Sequence, residues 1–149
     1  MLVSCGSDGG TSTTTTTAVV TTTLVVESPF FGGDAARMVI GDERLTVAVA
    51  DTSAERSQGL RGASDLGGLD GMWFIHDGVG PVSYTMQQTL IPLDIWFIDG
   101  GGVIVGTAEM EPCPDDPCPS YPSPEPVLWV LETERGRYDF AIGDVVAVD

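Results

Sequence analysis

The sequence predicts a single α+β domain that is mostly β: a small barrel-like or strongly twisted antiparallel sheet carrying one short helix at about residues 53–61. Three observations lead there. Apolar residues recur with a period of two in short runs, Gly, Pro and Asp separate those runs, and a helix-start signature occurs once. Of the 149 residues, setting aside a biased N-terminal stretch leaves roughly 105 to 110, enough for one ordinary core.

The elements follow in order. Residues 24–43 are broken by Pro29, Gly32 and Gly33, so the domain is expected to begin near Arg37. From Arg44 to Asp51, Leu45, Val47 and Val49 alternate as in a half-buried strand. Thr52 with Glu55 three residues on forms a capping-box pattern that satisfies two exposed N–H groups, and the helix should stop by Gly62. Strands are then predicted at Met72–His76, Leu93–Ile98, Val103–Ala108, Val127–Thr133, Arg137–Ala141 and Val145–Val148, with turns at Gly100-Gly101-Gly102 and Arg135-Gly136. Pro112–Pro126 is rich in proline and reads as a stiff exposed loop.

Charge narrows the function classes. The chain has 22 acidic and 6 basic residues, all of the latter Arg, for a formal net charge of −16. Such a field repels phosphate backbones and anionic headgroups, which disfavours nucleic-acid binding and electrostatic membrane docking. The sequence contains no phosphate-cradling Gly-x-x-x-x-Gly-Lys, no Gly-x-Ser-x-Gly and no Cys-x-x-Cys. No cofactor and no metal are expected. Glu109, Glu111, Asp115 and Asp116 crowd one stretch, but without the spacing of a calcium loop.

Met1-Leu2-Val3-Ser4-Cys5 resembles the processing site of a bacterial lipoprotein, and a Gly-, Thr- and Ser-rich thread follows it. Residues 1–4 are read as a residual or truncated signal peptide, Cys5 as the lipidated residue, 5–36 as a disordered tether and 37–149 as the domain. A thread of this composition buries too little apolar surface to offset its ordering. Multiple acyl chains on Cys5 would give stable anchoring. Cys113 and Cys118, four residues apart, suit a disulfide-closed loop in an oxidising compartment, whereas zinc would want four N or S donors. One lipidated and two paired cysteines account for all three.

Several segments carry a family resemblance: Glu55-Arg56-Ser57-Gln58-Gly59-Leu60, Gly71-Met72-Trp73-Phe74, Met86-Gln87-Gln88-Thr89-Leu90-Ile91-Pro92-Leu93-Asp94-Ile95-Trp96-Phe97, Pro112-Cys113, Tyr121 to Glu132, and Gly143-Asp144. In this order, from about Val47 to Val148, the chain resembles the family called domain of unknown function 192 (DUF192). The resemblance implies a compact, mostly β domain and no established activity. Where the family usually has Met-Lys-Asn-Thr or Met-Arg-Asn-Thr, this chain has Met86-Gln87-Gln88-Thr89, which removes a cation and replaces Asn by Gln.

In Leu93–Ile98, Leu93, Ile95 and Phe97 share one face and Asp94, Trp96 and Ile98 the other, so both faces should be covered. Asp94 then either ties down the Gln88–Pro92 turn or serves a ligand. Glu132 ends the apolar run Val127–Leu131, and His76 is the single histidine. The function expected is an envelope-anchored small binding or accessory domain without catalysis. Its candidate contact residues are Met86, Gln87, Gln88, Thr89, Asp94, Tyr121 and Glu132. The alternative is a small hydrolase using Asp94 with Glu132 or His76. Expected partners are a membrane through the lipid anchor alone and an envelope protein or glycan, for a chain that works as a monomer.

Overall fold

The structure, a computed structural model, describes residues 34–148; Cys5, the residues before it and nearly all of the tether lie outside that range. The strands are β1 (Ala35–Ile40), β2 (Glu43–Ala50), β3 (Gly71–Gly80), β4 (Ser83–Thr85), β5 (Leu93–Ile98), β6 (Ile104–Met110), β7 (Ser120–Pro122), β8 (Val127–Glu134) and β9 (Val146–Val148), with the helix α1 at Ser53–Gln58. Seven strands form one curled sheet in the order β6-β5-β8-β3-β2-β1-β9, and β4 pairs with β7 in a second, two-stranded sheet. The mostly β, barrel-like expectation is met. Among the described residues no helix is long and apolar enough to cross a membrane.

The sheet is a half-barrel because its two edges approach each other. Val103 and Val145 form a bridge between the loops that precede β6 and β9, and the Val146 N–H donates to the Gly102 carbonyl at 2.8 Å. One core lies on the side toward which the edges curl. There Ile104 and Val146 from the two edges meet Met38, Leu45, Val47, Trp73, Trp96, Ile98 and Leu131. On the other side Met72, Phe74, Ile95, Phe97 and Val130 pack beneath Leu60, Leu66, Leu69 and Met86 from the covering loops. All six residues of β5 are buried, as its two apolar faces require.

Several features depart from the sequence expectation, the unpredicted strand β4 among them. Ala35–Ile40 is a strand, hairpinned to β2 through Gly41-Asp42, and begins two residues before Arg37. The β2–β3 pair is parallel rather than antiparallel, because residues 51–70 with α1 form a crossover long enough to return the chain to the same end. Arg137–Ala141 joins no ladder: Tyr138 stacks on Phe140 at 5.1 Å, and Phe140 meets Trp96 edge-on at 5.0 Å. Their alternation caps the inner core. Within the proline-rich segment, Ser120–Pro122 is a short strand, since an edge strand three residues long tolerates a residue without an N–H.

Candidate functional site

Neighbouring residues of a strand point to opposite faces, and directly opposed residues of paired strands share one. Glu132 on β8 lies opposite Met72 of β3 and Ile95 of β5, so its carboxyl rises from the face covered by α1. Phe74 and His76 project from the same face of β3. The capping box then sets α1 over this face. Thr52 Oγ1 accepts the Glu55 N–H at 3.1 Å, and Glu55 Oε1 accepts the Thr52 N–H at 3.1 Å.

Between helix and sheet lies a cleft of about 310 Å³ whose lining includes Arg56, Arg61, His76, Tyr84, Thr89 and Glu132. Glu132 is 4% exposed. Burial among apolar neighbours pushes its carboxyl up to about 8, and among the described residues no donor bonds it. His76 Nε2 lies 2.7 Å from the Tyr84 hydroxyl. Desolvation first, then the Arg56 charge, lower the imidazole, while burial and the nearby Glu132 raise the phenol. Arg56 is pinned: its guanidinium donates to the carbonyls of Asp51 (2.9 Å) and Ile75 (2.8 Å) and meets the Asp77 carboxylate at 3.3 Å. The Arg61 side chain makes no such bond among the described residues.

The residues singled out in sequence go to several places. Glu132 and Thr89 line the cleft, as does His76. Met86 is fully buried in the outer core. Gln87 faces away and donates through Nε2 to both Asp116 carboxylate oxygens, at 3.0 and 3.1 Å. Gln88 takes a positive φ of 59°, with its N–H on the Cys113 carbonyl (3.0 Å) and its carbonyl receiving the Gly62 N–H (2.7 Å). Tyr121 pairs with Tyr84 across the small sheet, and its hydroxyl accepts the Glu111 N–H at 3.4 Å. Asp94 is buried on the opposite face and accepts the Gly136 N–H at 3.0 Å. The pairing of Asp94 with Glu132 as acid and base therefore fails on geometry: Asp94 opposes Thr133, and the sheet separates the two carboxyls.

Cys113 and Cys118 are joined by a disulfide. Within the acidic stretch, Glu111 pairs with Arg135 and Asp116 with Gln87. Among the described residues no three His, Cys, Asp or Glu side chains converge as metal ligands would. Arg56, Arg61 and Tyr84 are cleft residues that the sequence did not mark as site residues. The scarcity of basic residues was the available signal, since two of only six line this one cleft.

Fold and site together define a small, curled-sheet domain with a polar cleft under helix α1. The chain belongs to the DUF192 family, described as "Uncharacterized ACR", whose profile matches residues 36–148. It is similar in structure to a protein of unknown function from Novosphingobium aromaticivorans, with a TM-score of 0.70 and 28% identity over 79% of this chain and 88% of that one. It is also similar to a candidate transcription regulator from Sinorhizobium meliloti, with a TM-score of 0.67 and 29% identity over 76% and 92% of the two chains. No curated protein matches.

Proposed function

We propose that this chain is a small-ligand-binding accessory domain of the bacterial cell envelope, with its ligand seated in the Glu132 cleft. The carrying observation is a carboxyl that is 4% exposed, without a bonding partner among the described residues, on the wall of an open polar cleft. The Glu132 carboxyl faces the cleft, so a ligand can pair with it without rebuilding the folded site. The envelope assignment rests on the order of parts in the sequence, with Cys5 as the anchor, and is supported by the Cys113–Cys118 disulfide, a bond that persists in oxidising compartments.

The test is a library of saccharides, organic acids and short peptides screened against the full chain by thermal shift and by amide chemical shifts. A true ligand moves the amides of Gly59–Arg61, Thr89 and Glu132 and is weakened by Thr89→Ala, but not by Gln87→Ala or Asp94→Asn. A ligand whose shifts map to the Gln87–Asp116 side overturns the assignment. For the anchor, Cys5→Ala moves the protein from the membrane fraction to the soluble one; unchanged fractionation removes that part.

A second reading, acid–base catalysis, draws on one observation. A carboxyl raised to about 8 is a protonated acid at neutral pH, and it shares the cleft with an imidazole that burial keeps neutral. Asp94 has no part in it. This reading predicts turnover that both Glu132→Gln and His76→Gln abolish; binding without turnover leaves the accessory role.

A further inference from the structure

We propose that the Glu132 cleft takes a small hydroxylated organic acid, such as a sugar acid or hydroxycarboxylate, its carboxylate received by Arg61 and the Glu132 carboxyl and its hydroxyls by the Ser and Thr rim. The inference rests on the cleft being the binding site and adds the chemical class of what fills it.

Charge is the first argument. The chain carries 22 acidic and 6 basic residues, yet this cleft is lined by Arg56 and Arg61 against a single carboxyl, Glu132. The local sign is thus the reverse of the protein's. Arg56 is committed to Asp51, Ile75 and Asp77, its charge offset by the Asp77 carboxylate, so it contributes a fixed wall. The Arg61 guanidinium has its donors to offer, in the planar fork that matches a carboxylate.

Glu132 adds a second preference, set by the hydrogen bond that its carboxyl can offer a ligand. In its protonated form it has one O–H to donate, and a carboxylate is the acceptor that makes the shortest and strongest such bond. A phosphate dianion suits the site less, because the buried carboxyl ionises close to neutrality and would then face two negative charges. Hydroxyl groups come third: Ser53, Ser57, Ser83, Thr85 and Thr89 line the same space, each able to donate to or accept from a ligand hydroxyl. A volume of about 310 Å³ is at the small end for ligand sites, the size of one sugar ring rather than a chain.

The charge change of Glu132, at about 8, falls inside the range pH 6.5 to 9.5. Around Glu132 stand Tyr84 from β4, His76 from β3, Arg56 from α1, and Arg61 just after the helix; Met72 and Ile95 beside it are apolar. Burial lowers the imidazole and raises the phenol, which favours the neutral form of each. Binding of an anion should therefore weaken as Glu132 loses its proton.

The experiment is calorimetric titration of the full chain with D-glucuronate, its neutral amide D-glucuronamide, D-gluconate and inorganic phosphate. D-glucuronate or D-gluconate is expected to bind at pH 6.5 and to weaken at least tenfold at pH 9.5. D-glucuronamide and phosphate should bind at least tenfold more weakly at pH 6.5. Arg61→Gln, which changes an exposed side chain that makes no bond among the described residues, should cost at least tenfold, and Glu132→Gln should remove the pH response. If the amide binds as tightly as the acid, the cleft stands as a site and the anionic class is overturned. If neither acid binds while neutral saccharides move the cleft amides, the result is the same. If nothing in the wider library moves those amides, the cleft reading falls with it.

Discussion

Asp94 and Glu132 occupy adjacent strands with only a one-residue offset in register, yet they lie on opposite faces of the sheet. Glu132 opposes Ile95, and Asp94 opposes Thr133. Asp94 closes the β8 turn by accepting the Gly136 N–H at 3.0 Å, whereas Glu132 has no partner among the described residues. Asp94→Asn is therefore expected to lower stability by about 1 to 2 kcal/mol, the worth of a charged hydrogen bond, without affecting ligand binding in the cleft. Urea unfolding together with a binding titration checks both halves; lost binding at unchanged stability would return Asp94 to the site.

Glu132 itself should make stability pH-dependent. Its carboxyl ordinarily titrates near 4.5 and is pushed up to about 8 by burial, so between those values the native state holds a proton that the unfolded chain has released. Its contribution is fully present below pH 4.5 and is lost as pH rises through about 8. The slope approaches at most about 1.4 kcal/mol per pH unit. Comparing urea unfolding of the native chain and Glu132→Gln from pH 5 to 9 isolates this term. A difference that does not vary with pH would mean that Glu132 is solvated.

Gly71→Ala should be severely destabilising. A Cβ at Gly71 would sit 2.3 Å from the Glu132 carbonyl oxygen, a backbone atom that cannot move without parting β3 from β8. The expected cost is about 3 kcal/mol or more, read from the thermal or urea midpoint. Gly78→Ala on the same strand, where the added atom meets nothing and the backbone is not at positive φ, is the control for an added methyl.

The Gln88 backbone, at φ 59°, lies in the left-handed region that Asn tolerates better than Gln. Gln88→Asn, the residue usual at this place in the family, is expected to add roughly 0.5 to 1 kcal/mol of stability. A loss on this substitution would show that the Gln88 side chain is needed for a contact of its own.

Replacing both Cys113 and Cys118 by Ser opens a six-residue loop and should cost about 2 kcal/mol by chain entropy. The Cys113 carbonyl accepts the Gln88 N–H, so the amide of neighbouring Thr89 should also exchange faster with solvent. Hydrogen exchange on the double variant measures this, and unchanged protection at Thr89 would uncouple the loop from the cleft.

Much of this fold could be read from residues alone, and β5 shows why: six consecutive residues with apolar side chains on both faces admit almost no arrangement except a central strand. The α1 capping box was equally readable, since its partners lie three residues apart. What escaped depended on contacts far apart in sequence. Tyr138 and Phe140 alternate like a strand and are used as a lid on Trp96. Tyr84 enters the cleft only because β4 finds β7, with Tyr84 opposite Tyr121. Glu132 reads as a strand-end carboxylate until the sheet order buries it between β3 and β5. The β1–β2 hairpin could have been found, since Gly41-Asp42 is a two-residue turn between alternating runs.

The sheet order also dictates when the chain can fold during synthesis. Strand β8 stands between β5-β6 on one side and β3-β2-β1 on the other, and among the described strands it is the eighth of nine to leave the ribosome. Until residue 134 has emerged, the two half-sheets have nothing to join them and keep open edges, so the nascent chain stays loose and dependent on protection from aggregation. Folding is thereby deferred until this keystone strand, late in the domain, has been made. The same late step creates the cleft, since Glu132 arrives with the keystone.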